Sequence, residues 1–267
     1  MARENMRVEQ LGAGRGEPIA IVTCLHGKER CGKAAMEALL DPGPSITGDV
    51  RFVVANERAM ATPDGPAQYL DDDLNRSFPG DPDSESHERR LAAELLAEVR
   101  DCRVLDVHST LSDSPPFALF LPENDRRLVA ATGVDIAVDV RNRTGRGALI
   151  EFVNGVSVEY GLRGTQSAVD NARKIIRNFL AALGAIEAEF RWADPEVYEI
   201  TDTIDCIDCT FEGENFTRVD AGEQFASRNG RAIRASEPFY PVLTSRDGYE
   251  EMLGYRAEKR GRLSMLE

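Results

Sequence analysis

The run Ile19-Ala20-Ile21-Val22-Thr23-Cys24 is apolar along its length apart from Thr23. A strand without polar alternation must be covered on both faces, so this segment predicts a buried strand of a layered fold. Gly32 to Leu40 follows with helical spacing and stops at Asp41-Pro42-Gly43-Pro44, and Val50 to Val54 reads as the next strand. Ser84 to Arg100 is helical, with Leu91, Leu95, Leu96 and Val99 on one face. Strands are expected at Val104–Val107, Phe117–Leu121, Val134–Val140, Ala148–Val153 and Val156–Val158, and Thr165 to Leu183 carries the longest helical pattern. Strands alternating with helices define an α/β sheet with helices on both faces. After Gly184 the texture changes to short β-like runs (Val197–Thr201, Ile204–Phe211, Gln224–Ala226, Ala232–Arg234, Tyr240–Leu243) separated by Gly, Asn and Asp. Residues 1–184 are therefore expected to form the larger α/β domain and residues 185–267 a small β-rich one. Glu57 to Asp83, rich in Pro, Gly and Asp, is a connection of a length that is usually functional.

Composition narrows the choice of partners. The formal net charge of −14 repels nucleic acid phosphates and anionic lipid. It also suits a high-salt cytoplasm. No apolar run approaches the roughly 18 residues of a membrane span, and the polar N-terminus lacks the apolar core of a signal peptide. The five cysteines, Cys24, Cys31, Cys102, Cys206 and Cys209, are odd in number, which argues for free thiols in a chain without an export signal. These features predict a cytoplasmic protein that binds neither nucleic acid nor membrane, and they are compatible with a homodimer.

Chemistry is concentrated at two strand ends. Of the three histidines, His26 lies directly after the first apolar run in His26-Gly27-Lys28-Glu29, and His108 closes Leu105-Asp106-Val107-His108. Crevices of open α/β sheets form beyond the carboxyl ends of the strands. A His and a Glu three residues apart can converge on one ion across a turn that Gly27 allows to bend, and a third ligand from a distant strand leaves a position for water. Taken alone, each histidine could equally cap a backbone group.

The stretch Tyr69-Leu70-Asp71-Asp72-Asp73-Leu74-Asn75-Arg76-Ser77-Phe78-Pro79-Gly80 changes that balance. Together with His26-Gly27-Lys28-Glu29, Val107-His108 and Val156-Ser157-Val158-Glu159-Tyr160-Gly161, it resembles the succinylglutamate desuccinylase and aspartoacylase family, over roughly residues 17 to 260. The resemblance implies a zinc carboxypeptidase-like fold: a mixed central sheet with helices on both faces and a small β-rich C-terminal domain leaning over the active site. It further implies one zinc ion per chain, held by His26, Glu29 and His108, and hydrolysis of a small N-acyl amino acid. A zinc ion there lowers the pKa of its water to about 7. By the same resemblance Glu159 is the general base, with Glu151 in reserve, and Asn75 and Arg76 clamp a substrate carboxylate. Asp106 and Ser109 adjoin His108 and are candidates for orienting the ligands through hydrogen bonds.

One departure stands out. The family usually carries an oxyanion-stabilising arginine where this chain has Gln68. Either Gln68 donates a neutral hydrogen bond or another arginine, such as Arg58 or Arg143, takes over. Tyr249 is a further candidate for reaching the substrate from the C-terminal part. A competing reading is a metal-binding regulatory protein, or a weakly active carboxypeptidase- or esterase-like relative.

Other motifs carry less. Cys206-Ile207-Asp208-Cys209 has metal-knuckle spacing without a second pair, and on a strand its thiols would point to opposite faces. Gly12-Ala13-Gly14-Arg15-Gly16 does not follow a strand, as a dinucleotide loop must, and Gly155 to Glu159 lacks the last Gly of a nucleophile elbow. His87 is expected in the first turn of an exposed helix.

Overall fold

The computed structural model describes residues 5–12, 14, 16–41, 43–143, 146–246 and 252–266. Thirteen strands and five α-helices follow in the order β1 Arg7–Leu11, β2 Ile19–Thr23, α1 Cys31–Leu40, β3 Val50–Val54, α2 Glu57–Met60, α3 His87–Val99, β4 Arg103–Thr110, β5 Phe117–Phe120, α4 Arg126–Ala131, β6 Ile136–Asp139, β7 Asn154–Leu162, α5 Gln166–Ala182, β8 Glu196–Ile204, β9 Thr210–Phe211, β10 Gln224–Arg228, β11 Arg231–Arg234, β12 Tyr240–Val242 and β13 Gly254–Arg262.

Ten strands form one sheet in the order β1-β3-β2-β4-β7-β5-β6-β8-β13-β12, and β11-β10-β9 form a second. Neighbours from β3 through β2 and β4 to β7 run parallel. β5 opposes β7, and β1, β13 and β12 are also antiparallel to their neighbours, so the sheet is mixed.

Each side chain row of β2 feeds a different core, as the two-residue period of a strand requires. Ile19 and Ile21 pack with Ala35, Met36 and Leu39 of α1 and with Ile175, Ile176, Phe179 and Leu180 of α5. Ala20 and Val22 pack with Leu91, Leu95 and Val99 of α3. Burying each such Leu, Ile or Phe contributes about 1.5–3 kcal/mol. The helix starts are capped: Ser86 accepts from Arg89 N, and Thr165 from Ala168 N, each worth about 1 kcal/mol.

Several expectations need correction. Ala148–Val153 is not a strand: Leu149–Glu151 form a 3-10 turn, and its apolar residues Ala148, Leu149, Ile150 and Val153 are buried without sheet pairing. Ile204–Phe211 is not one continuous strand, since β8 ends at Ile204 and β9 begins at Thr210. Asp208 in between adopts φ +59°, and Cys206 and Cys209 are joined by a disulfide with Cα atoms 5.6 Å apart. The free cysteines are therefore Cys24, Cys31 and Cys102, all buried. The main sheet continues past residue 184, because β8 pairs with β6. Among the described residues no helix is long and apolar enough to cross a membrane.

Candidate metal centre

β2, β4 and β7 are adjacent and parallel, so their carboxyl ends meet at one edge. Thr23 pairs with Val107, and His108 with Glu159. In β4, Leu105 and Val107 join the core on the α1 and α5 side. The intervening Asp106 and His108 therefore face the other way. β7 repeats the pattern: Val156, Val158 and Tyr160 enter the same core, which leaves Ser157 and Glu159 beside Asp106 and His108 in register.

Past β2 the chain turns at Cys24, φ +59°, and carries His26 and Glu29 over the same edge. Gly27 is required there by close approach: a Cβ would lie 2.5 Å from the Ala59 carbonyl carbon and 2.6 Å from the Ala67 oxygen. Its N–H donates to the Gln68 carbonyl at 3.0 Å, which ties the loop to the 57–83 segment.

His26, Glu29 and His108 bring one ligand atom each to within 4.8 Å of one another. His26 Nδ1 lies 2.9 Å from Glu29 Oε1, and His108 Nδ1 lies 3.2 Å from Glu29 Oε2. The outer nitrogens also face carboxylates: His26 Nε2 is 3.0 Å from Asp73 Oδ1, and His108 Nε2 is 2.8 Å from Asp106 Oδ2. Ser157 Oγ donates to that same Asp106 oxygen at 2.8 Å, and the Ser109 backbone N–H donates to Glu29 Oε2 at 3.1 Å.

This arrangement fits a divalent cation. Neutral imidazoles that donate outward to Asp73 and Asp106 point both Nδ1 lone pairs at a carboxylate. That is repulsive unless positive charge lies between them, and outer carboxylates are the usual way to orient histidine ligands. Two His and one Glu form a donor set suited to zinc. The protein's own charges express the same demand. Burial lowers the His26 pKa, but Glu29 and Asp73 overcome it and raise it to about 9. Burial likewise lowers His108, and Asp106 and Glu29 hold it well above the usual imidazole value. Burial raises Glu29, yet the two imidazoles hold it well below the carboxylate range. Asp73, raised by burial, is brought to about 2 mainly by its bond to His26.

Glu159 is half-buried beside this group, and its buried Oε2 has no hydrogen-bond partner among the described residues. Burial raises its pKa to about 7, Glu29 adding to the rise and His108 opposing it. Glu151 is engaged elsewhere: it accepts the Ala148 N–H at 3.3 Å and faces Arg146 at 4.0 Å.

Asn75 and Arg76 occupy a 3-10 turn capped by Asp73, whose Oδ1 accepts the Asn75 N–H at 2.8 Å. Asn75 Oδ1 accepts from Leu149 N at 3.0 Å, leaving its NH2 as the free donor. Arg76 donates to the Asn75 carbonyl, and burial followed by the nearby Arg143 guanidinium lowers its pKa. Among the described residues no carboxylate lies within ion-pair distance of Arg76, Arg143 or Arg163. Gln68 Oε1 accepts from Arg163 Nη1 at 3.3 Å. Tyr249 lies outside the described residues.

His87 starts α3 as expected but is buried, 2% exposed. Its Nδ1 meets Arg58 Nη1 at 3.2 Å and its Nε2 meets Asn56 Oδ1 at 3.2 Å. An arginine can only donate, so Nδ1 accepts and the ring is neutral, which agrees with the lowering of its pKa by burial. Arg58 is thereby committed to His87.

Four contributors escaped the sequence reading. Asp73 and Arg163 sit 47 and 95 residues from the groups they touch. Glu88, fully buried, accepts the N–H groups of Leu70, Asp71 and Asp72 and the Asn56 amide. Tyr160 donates to the Glu29 carbonyl at 3.3 Å and accepts from Gly32 N at 3.2 Å. The acidic run Asp71 to Asp73 ahead of the Leu74 turn was the available signal for Asp73; the other three had none.

Fold and site thus define a mixed α/β protein with a histidine–carboxylate group able to hold a metal ion at the carboxyl edge of its sheet. A sequence model described as the succinylglutamate desuccinylase/aspartoacylase catalytic domain matches residues 15–183, and the chain belongs to that family. No curated protein sequence gives a significant match. Among solved structures, the chain is similar to the ectoine utilization protein EutE (DoeB) from Ruegeria pomeroyi, with 18% identity, TM-score 0.70 and coverage of 96% of this chain and 88% of that one. It is also similar to an aspartoacylase family protein from Mesorhizobium loti, with 20% identity, TM-score 0.71 and coverage of 98% and 97%. A succinylglutamate desuccinylase from Silicibacter sp. TM1040 shows 20% identity and TM-score 0.69, with coverage of 94% and 88%. These likenesses show the shared fold.

Proposed function

We propose that the chain is a zinc-dependent hydrolase that removes the acyl group from a small N-acyl amino acid. The observation that carries this reading is the half-buried Glu159, with one buried carboxylate oxygen unpartnered among the described residues, one strand from a convergent His26, Glu29 and His108. Zinc held by these three would supply the positive charge that polarises the scissile carbonyl and activates water.

The chain's own groups do the rest. Glu159, with a pKa of about 7, is matched to taking a proton at neutral pH and giving it up again. As the water oxygen bonds to the carbonyl carbon, Glu159 takes the water's proton and the carbonyl π pair moves to oxygen. When the C–N bond breaks, its electron pair goes to nitrogen and Glu159 returns the proton there. Arg76 and the Asn75 amide hold a substrate carboxylate, a task for which the planar guanidinium suits an anion, and Arg143 adds positive charge nearby. All these groups fall between residues 26 and 159, which supports reading 1–184 as the catalytic domain and 185–267 as a smaller β-rich one.

The test is zinc content and turnover of the purified chain. About one zinc per chain is expected, with hydrolysis of at least one member of a panel of N-acetyl and N-succinyl amino acids. H26A and H108A should each lose tight zinc binding. Full zinc in both variants removes the metal assignment, and turnover only of peptides or esters redirects the substrate class.

A further inference from the structure

The family resemblance places an oxyanion-stabilising cation where this chain has Gln68, and the arginine that meets Gln68 is Arg163. Arg163 follows β7, four residues beyond Glu159. Its backbone N–H donates to the carbonyl of Thr110, two residues past His108, at 3.0 Å. The next residue, Gly164, donates to Cys31 Sγ at 3.4 Å, at the start of α1 just past Glu29. The turn is thus fixed to both segments that carry the metal-binding side chains. From there Arg163 Nη1 donates to Gln68 Oε1 at 3.3 Å, and Gln68 is itself tied to the His26–Glu29 loop through Gly27. Both side chains are half-buried.

We propose that Arg163, held in place by Gln68, is the cation that stabilises the oxyanion during acyl cleavage. The inference rests on the proposed hydrolase reading and adds the residue that completes it. In the addition step the carbonyl oxygen gains the π pair, and Arg163 donates an N–H to that oxygen while Gln68 fixes the guanidinium. In the collapse step the pair returns to re-form the carbonyl of the acid product as the C–N bond breaks, and the remaining hydroxyl proton passes to the released amine, giving carboxylate and ammonium. A cation fixed before the reaction stabilises developing charge most in the transition state. Of the sequence candidates for this place, Arg58 is engaged by His87, and among the described residues it is Arg163, not Arg143, whose side chain meets Gln68.

The test compares wild type, R163Q and the exchange variant Q68R/R163Q, each zinc-loaded, on the best substrate of the panel. A second readout is calorimetric binding of the N-methylphosphonamidate of the same amino acid, whose tetrahedral phosphorus carries the anionic oxygen. R163Q should lower kcat about 100-fold or more, as loss of one oxyanion donor does, with KM within a few-fold of wild type. Its affinity for the phosphonamidate should fall in parallel while affinity for the product amino acid stays. Moving the cation to position 68 in the exchange variant should recover at least a tenth of the lost rate. An unchanged kcat, a loss confined to KM, or an exchange variant as slow as R163Q overturns the proposal. A wild-type chain that neither turns over the panel nor binds the phosphonamidate instead removes the hydrolase reading on which it rests.

Discussion

Glu159 is the residue on which the proposed chemistry turns. Its side chain is half-buried, one oxygen is buried and unpaired among the described residues, and desolvation has lifted its pKa to about 7. Glu159→Gln keeps the size and removes the basicity. Turnover is expected to fall by about two orders of magnitude or more, the usual scale of general-base assistance, while zinc content stays at the wild-type level. Turnover within a few-fold of wild type would take the role away from Glu159. His26 and His108 stood out in the sequence because each closes an apolar run, and Glu159 through the family resemblance; the folded chain brings them together. Leu105-Asp106-Val107-His108 and Val156-Ser157-Val158-Glu159 share one apolar–polar alternation, and pairing sets the two polar rows side by side. Asp73 and Arg163 could not be read this way. Each lies outside a strand, and each acts on a partner that only the folded chain brings near.

At the scale of elements, the 57–83 connection is held in shape by a helix. Glu88, in the first turn of α3, accepts three consecutive backbone N–H groups of the loop that carries Gln68 and Asp73. Its place at a helix N-terminus favours the negative charge as well. Glu88→Gln turns one carboxylate oxygen into an NH2 group facing donors. Stability should drop by about 2–4 kcal/mol, the cost of leaving buried donors unpaired beside a lost charge, measured as a lower urea midpoint with an unchanged slope. A variant as stable as wild type would show that the loop is shaped by other contacts. The long amphipathic helices α1, α3 and α5 and the buried strands β2, β3 and β4 were legible because burial imposes a period on their apolar residues. β1 and β13 were not. Arg7-Val8-Glu9-Gln10-Leu11 is a half-exposed edge, and Glu258-Lys259-Arg260 in β13 face solvent, so neither carries an apolar run. The turn at Leu149 misled in the opposite sense: it is apolar because it is buried, and its Leu149 N–H is taken by the Asn75 side chain rather than by a strand.

Across the whole molecule, sequence texture separated the C-terminal third while hydrogen bonding joins it to the rest. β8, β13 and β12 extend the sheet that bears the candidate metal centre, and among the described residues β9, β10 and β11 form a separate sheet. A change of texture reports how much of each strand is buried, not which strand it pairs with. The order of strands therefore could not be read from composition, whereas the alternation of strands and helices, a local property, gave the α/β class.

Arg76 and Arg143, near one another and without an ion pair among the described residues, are locally positive in a chain whose formal net charge is −14. The anionic substrate proposed above would be repelled from afar and attracted at the last step. Dissolved salt acts unequally on the two forces, since a Debye length of about 10 Å at 0.1 M screens the distant carboxylates far more than contacts inside the crevice. Second-order capture, kcat/KM, should therefore rise as sodium chloride is added from low ionic strength to about 0.1 M, then decline as the close contacts are screened too. A steady fall from the lowest salt onward would show that the far carboxylates are not felt at the crevice. The maximum marks the ionic strength at which this surface hinders its own ligand least.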